Sequence, residues 1–385
     1  MFAFFVLASS AWTACAEDGD GSAAACAGAS TVRPFAVVAA STYTGGVGAY
    51  AFVPVDDPGA VATSCGRTSS DPVVRASGDR VFVLDRYRYD TLTVLDASRP
   101  GLPLVSQTSV ADAPGADGVR QDANPWDALL LPDGRLYVTR WEQPTLAVVD
   151  PTAGALVGAI DLAPYADADG IPEMGWMALS RGRVFVALQR LDRTRRELPP
   201  AGPGLVVVLD PATDSVVATI ELAHGNPATP MIAAPDDPED LLVATSGLYR
   251  SLFEAPDSDG SIQRIDTESF TVSDPLLTES ELGGDLVDWT TDLDGRRVFA
   301  VVGDTDLTRV VELDLASGGA PGEPLHTSSG FDLKFVRAGP DGRLWIGDRT
   351  RSSPRVVLVP MDGASASSPT SVPLELPPVD LAFVR

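Results

Sequence analysis

Ten of the chain's 27 arginines fall in five short stretches that also carry aromatic, amide or acidic side chains. These are Arg86-Tyr87-Arg88-Tyr89, Arg140-Trp141-Glu142, Gln189-Arg190 with Arg193, Arg195 and Arg196, Tyr249-Arg250, and Asp348-Arg349 with Arg351. A guanidinium fork matches the geometry of carboxylate and phosphate, and Arg, Tyr and Trp together dominate the hot spots of binding interfaces. The pattern predicts a binding rim for an anionic or carbohydrate-like ligand or for a protein partner. The chain carries a net charge of −25, so a competing expectation is that acids such as Asp85, Asp90, Asp192 and Glu197 neutralise these arginines. The same acidity repels a phosphate backbone and argues against nucleic acid as a partner.

A second set interleaves aromatic rings with charged groups: Trp126-Asp127, Glu173-Met174 with Trp176, Asp288-Trp289, and Phe331-Asp332 with Lys334. Such a mixture could line a small-molecule pocket, or the rings could simply plug a core. The candidate ligand-binding residues are Trp126, Asp127, Arg140, Trp141, Glu142, Glu173, Gln189, Arg190, Trp289, Asp332, Lys334 and Arg349. An alternative, a hydrolase of lactonase type, would need Glu173, Asp127, Asp288, Asp332 and Lys334 to converge around a divalent ion. No catalytic residue is nominated. Only His224 and His326 exist, each expected in a loop, which leaves no histidine cluster for zinc or for a serine relay. Asp257-Ser-Asp259-Gly260 and Asp304-Thr-Asp306 are fragments of calcium loops without the full ligand spacing. No cofactor is expected, and calcium is the one ion these fragments suggest.

The elements that must position these residues repeat along the chain. A strand ending in Asp returns as LTVLD at 92–96, LAVVD at 146–150, LVVVLD at 205–210, IQRID at 262–266 and VELDL at 311–315, with weaker copies at 53–56 and 359–362. Short β-branched strands recurring at such a spacing mean a radial all-β array. Each unit parses into four strands, A to D, with Asp-Gly turns at 133–134, 294–295 and 341–342 that tolerate the positive φ of tight hairpins. The strand C aspartates are expected to accept hydrogen bonds from their own turns. Six units fall near 71–110, 123–163, 172–222, 228–280, 285–327 and 330–376. Residues 33–66 supply three further strands and residues 377–385 one, so joining them closes a seventh blade. The expectation is an all-β, seven-bladed β-propeller of four-stranded antiparallel blades, spanning residues 33–385 and monomeric. Its B–C and D–A connections are long and varied, and they place the arginine stretches on one face.

The segments Asn124-Pro125-Trp126-Asp127, Leu136-Tyr137-Val138-Thr139 and Leu146-Ala147-Val148-Val149-Asp150 resemble the YVTN-type propellers, relatives of the NHL repeat proteins. That resemblance implies the fold and leaves function open. The start, MFAFFVLASSAWTAC, is too short to span a bilayer and resembles a bacterial lipoprotein signal, with Trp12-Thr13-Ala14-Cys15 at the lipobox position. It implies a signal peptide over 1–14, lipidation at Cys15, a flexible tether over 15–32, and an exported, periplasmic or outer-membrane-anchored protein that meets the membrane only through its lipid. With Cys15 lipidated, Cys26 and Cys65 remain to pair as a disulfide. The readings in play are thus a lipid-anchored propeller that binds a ligand or partner through its B–C face, and the channel-mouth hydrolase.

Overall fold

A computed structural model of the chain describes residues 32–385 apart from 43–45, 115–117, 119, 249–258, 304–305, 316–317, 319–320 and 362–368. The expected signal peptide, the tether up to residue 31 with Cys15 and Cys26, and Tyr249, Arg250, Asp257 and Asp304 lie outside these residues. The described chain forms seven antiparallel sheets arranged as blades, each built in sequence order except the first. Blade 1 has the order Pro378–Val384, Phe35–Ser41, Gly48–Pro54, Ala62–Thr68, so a strand from the far end of the chain is its innermost member. Phe35 pairs with Val384 and Val38 with Leu381, which fastens the ring. Closure of this kind removes the open sheet edge that would otherwise recruit other chains.

The inner A strands of blades 2 to 7 are Pro72–Ser77, Pro125–Leu130, Met174–Ser180, Ile232–Ala233, Asp285–Thr291 and Leu333–Ala338. The alternating pleat gives each blade two apolar faces, because both sides meet a neighbouring blade. Seven buried apolar clusters result, each shared by two adjacent blades. Phe35, Val37 and Phe52 of blade 1 pack with Val74, Val81 and Val83 of blade 2. At the other join of blade 1, Ala36, Val38 and Val53 pack with Phe335, Trp345 and Val356 of blade 7.

The turns explain which residues are structural. Asp150 accepts the Thr152 and Ala153 amides at 2.9 and 3.0 Å, Asp210 accepts the Ala212 amide, and Asp266 accepts those of Glu268 and Ser269. These strand C aspartates brace their own C–D turns, as their position after each strand suggests. Gly134 and Gly342 close A–B hairpins at φ +90° and +74°, a region that side chains with a Cβ avoid. His326 opens the outer strand His326–Ser329 of blade 6, whereas the sequence placed it in a connection. His224 does lie in the connection after blade 4, where its Nδ1 is 2.8 Å from Ser261 Oγ.

Candidate functional site

In blades 2, 3, 4, 5 and 7 the D–A connection entering the blade pairs with the end of strand B or the B–C loop that leaves it. Backbone amides of Arg86, Trp141, Gln189, Ser246 and Arg349 donate to the carbonyls of Asp71, Asn124, Glu173, Asn226 and Asp332. This short ladder sets a ring of side chains at one end of the channel, and the types that occupy it differ from blade to blade. Asn124, Glu173 and Asn226 all have positive φ, at +48°, +43° and +59°. Asn tolerates that region, but a glutamate held there is strained by roughly 1 kcal/mol.

Blades 2 to 4 build the densest part of this face. The Arg86 guanidinium lies 4.5 Å above the Trp126 ring, Trp126 stacks on Trp141 with centroids 6.1 Å apart, and Arg193 lies 4.5 Å from Trp141 on the far side. The result is a four-layer sandwich of cation, two indoles and cation, which a delocalised guanidinium suits better than an ammonium. Arg86 is anchored by Asp71 at 2.5 Å. Arg193 binds Glu142 and Glu173 and donates to the Trp141 carbonyl at 3.0 Å. The Trp141 indole N–H donates to Gln189 at 2.9 Å. Tyr87, Arg88 and Tyr89 continue the face outward, with both tyrosines about half exposed.

Glu173 sits at the centre of this arrangement, fully buried, accepting from Arg193 and from the Leu191 amide at 3.0 Å. Burial outweighs those donors and pushes its carboxyl up to about 7. A raised carboxyl stabilises the fold fully below its unfolded value near 4.3 and loses that contribution as pH rises through 7. Urea midpoints should therefore fall between about pH 4.5 and 7 in the wild type, and Glu173→Gln should flatten that segment of the profile. An unchanged slope in the variant would show that another group titrates.

The sequence-derived candidates do not form one site. Trp126, Trp141, Glu142, Glu173 and Gln189 come together in the sandwich. Asp332, Lys334 and Arg349 lie in blade 7, where Thr350 Oγ1 donates to Asp332 at 3.3 Å. Arg190 donates to the Pro203 carbonyl, and Arg140 points inward, fully buried, to Asp112 and the carbonyls of Val110 and Thr145. Arg140 is thus a pin between blade 3 and the connection before it. The acids that neutralise the rim differ only in part from those expected: Asp192 does act on Arg195, while Asp71, Glu142 and Glu173 take Arg86 and Arg193. Asp85 accepts the Ser69 amide, Asp90 those of Ala123 and Asn124, and Asp192 that of Thr194.

Asp127 and Trp289 occupy the channel itself. Asp127 binds Arg75 at 2.5 Å, Arg75 binds Asp380 at 2.6 Å, Asp380 binds Arg337 at 3.0 Å, and Arg337 binds Asp288. Each aspartate also accepts a backbone amide from the next blade: Asp127 from Met177, Asp288 from Val336 and Asp380 from Val74. Burial raises the Asp127 and Asp288 carboxyls against the pull of one arginine each. Burial opposes the Asp380 charge as well, but Arg75 and Arg337 on either side hold its carboxyl below the ordinary value. The chain of charges crosses blades 3, 2, 1, 7 and 6. Trp176 and Trp289 complete the circuit by donating indole N–H bonds to the Ala228 and Pro230 carbonyls of the entry to blade 5.

Sequence reasoning missed Arg75, Arg337 and Asp380. Their signal lies in the A strands, as VVRA at 73–76, FVRA at 335–338 and PVDL at 378–381 beside PWDA at 125–128. Among the described residues, no group of three His, Cys, Asp or Glu side chains is placed to hold a metal ion.

No protein-family model and no curated protein sequence matches the chain. Solved structures similar to it include a putative 6-phosphogluconolactonase of Bacteroides fragilis, with TM-score 0.61, 12% identity, and 91% of this chain against 98% of that one covered. The periplasmic gluconolactonase of Pseudomonas aeruginosa aligns with TM-score 0.59, 15% identity and coverage of 91% and 99%. Hydrazine synthase of Kuenenia stuttgartiensis aligns with TM-score 0.54, 15% identity and coverage of 74% and 75%. Proteins of such different activities at such identities share a fold with this chain, the seven-bladed propeller, and nothing narrower.

Proposed function

We propose that this chain is an exported binding propeller, of the YVTN/NHL type and anchored through Cys15, whose B–C and D–A face docks a partner protein. The observation that carries the reading is the Arg86–Trp126–Trp141–Arg193 sandwich, to which three blades contribute and which the repeat does not require. Its arginines are already matched by Asp71, Glu142 and Glu173, which speaks for a protein surface over a free anion. Tyr87, Arg88 and Tyr89 supply exposed side chains of hot-spot type beside it. Cys65 is disulfide-bonded, which supports an oxidising compartment and the Cys26 pairing.

A photo-crosslinking residue placed at Tyr87 or Tyr89 should capture a discrete protein in cells, and one at Thr152 on the opposite face should not. Trp141→Ala should cut the yield at least tenfold, the loss expected of an interface hot spot. Equal capture from position 152, or none from 87 and 89, would refute the docking face.

The second reading, hydrolysis of a lactone at the channel, draws support from the likeness to the gluconolactonases. Its proposed acids are committed elsewhere, however: Asp127 and Asp288 to arginines, Glu173 to Arg193, and Asp332 to Thr350.

A further inference from the structure

A cavity of about 400 Å³ lies in the channel but at the end away from the Trp126–Trp141 face. In the six longer inner strands it is lined only from the third residue onward, so it occupies the half of the channel that runs toward the A–B turns. Its walls are apolar and aromatic, with Trp176, Trp289 and Phe383 among them, and its charged side chains are Arg75, Arg337 and Asp127. Asp288 and Asp380 do not line it, although they bind the two arginines. The charged groups that meet the cavity are therefore mostly guanidinium. Arg75 and Arg337 keep 19% and 20% of their side-chain surface exposed despite their ion pairs, so both guanidiniums still present surface to the cavity they line. A hydrogen bond from a charged donor of this kind is among the stronger ones a ligand can gain.

We propose that this half of the channel is a small-molecule site, separate from the docking face, which takes a molecule with an apolar, ring-bearing body and a single hydrogen-bond-accepting head directed at Arg75 and Arg337. The volume suits a body of about two rings, since pockets of a few hundred cubic ångströms enclose most of a drug-sized ligand. A carboxylate and a neutral amide or ketone share the required acceptor oxygen. An ammonium head would instead meet two guanidiniums and a single carboxylate, Asp127, that Arg75 already binds.

Three probes with one body separate these cases: biphenylacetate, biphenylacetamide and the corresponding biphenyl-ethylamine, titrated calorimetrically into the full-length protein. The acetate, or the acetate and the amide together, should bind with Kd below about 1 mM, as expected for ligands of this size. The amine should bind at least tenfold more weakly. Binding of the acetate alone identifies an anionic ligand, and binding of both identifies any oxygen acceptor. Ala382→Trp and Ala76→Trp fill the cavity from its lining without removing a charge. Each should abolish binding while keeping the thermal midpoint, which shows that the fold survives. The site is refuted if no probe binds, if the amine binds as tightly as the others, or if both filled variants bind like the wild type. None of these outcomes bears on crosslinking from Tyr87.

Discussion

Asp380→Asn should destabilise the propeller by about 3–5 kcal/mol in urea, the loss typical when one member of a buried ionic group is removed. Its side chain is only 4% exposed and is shared by Arg75 and Arg337, so solvent offers little compensation. The substitution balances the formal count at two arginines and two aspartates. It also leaves two guanidiniums facing one another, and Arg75 already opposes the Arg337 charge. An asparagine amide can accept from one arginine through its oxygen, but its NH2 would face the other with a donor. Asp127→Asn and Asp288→Asn each disturb a single arginine whose acid is already raised by burial, and both should cost less. Because the Asp380 carboxyl is held low, its contribution is complete above the unfolded value near 4 and is lost as pH falls through its folded value. Asp380→Asn should remove that part of the acid limb. A loss below about 1 kcal/mol, or a larger loss for Asp127→Asn, would show that Asp380 is not the hub.

The difference between what the sequence discloses and what it hides follows from how far apart the partners lie. Blade count, hairpins and the closing strand are legible because each is encoded within about 50 residues by alternating apolar strands, Asp-Gly turns and strand C aspartates. Even the split blade announces itself, since 33–66 has three strands where every other unit has four. The channel network depends on that closure in another way. Residue 380 meets residues 75 and 337 only after the ring is shut, and nothing local to PVDL or VVRA states that these strands face one another. Arg140 shows the same limit at the rim. It ends a strand B, next to the rim, yet its side chain runs inward to Asp112, and only three-dimensional packing decides the direction. Conversely, the sequence puts Trp126 in a pocket-lining set and Trp141 in an arginine-bearing loop, and they form one stack because the A–B ladder extends past the strand ends.

That stack leads to the second large effect. Arg193→Ala removes the partner of two carboxylates and the cover of an indole at once, and about 3 kcal/mol should be lost at pH 8. The loss should shrink toward pH 5. With Arg193 gone, the Glu173 carboxyl rises further above its ordinary value, since burial remains and its main counter-charge is lost. A carboxyl raised in the folded state costs stability only where it must ionise, so the variant suffers most at high pH and least below the unfolded value near 4.3. Arg193→Lys should recover part of the loss. One ammonium can pair with Glu142 or Glu173, but it cannot also reach the Trp141 carbonyl and lie flat on the ring. In the double variant with Glu173→Gln the two losses should be clearly less than additive, because the second change removes the charge that the first stranded. Tryptophan emission should report the same event locally, shifting to the red as Trp141 gains water. A penalty equal at pH 5 and pH 8 would mean that Arg193 acts only through packing on Trp141, and that Glu173 is held neutral by its surroundings whether or not the arginine is present.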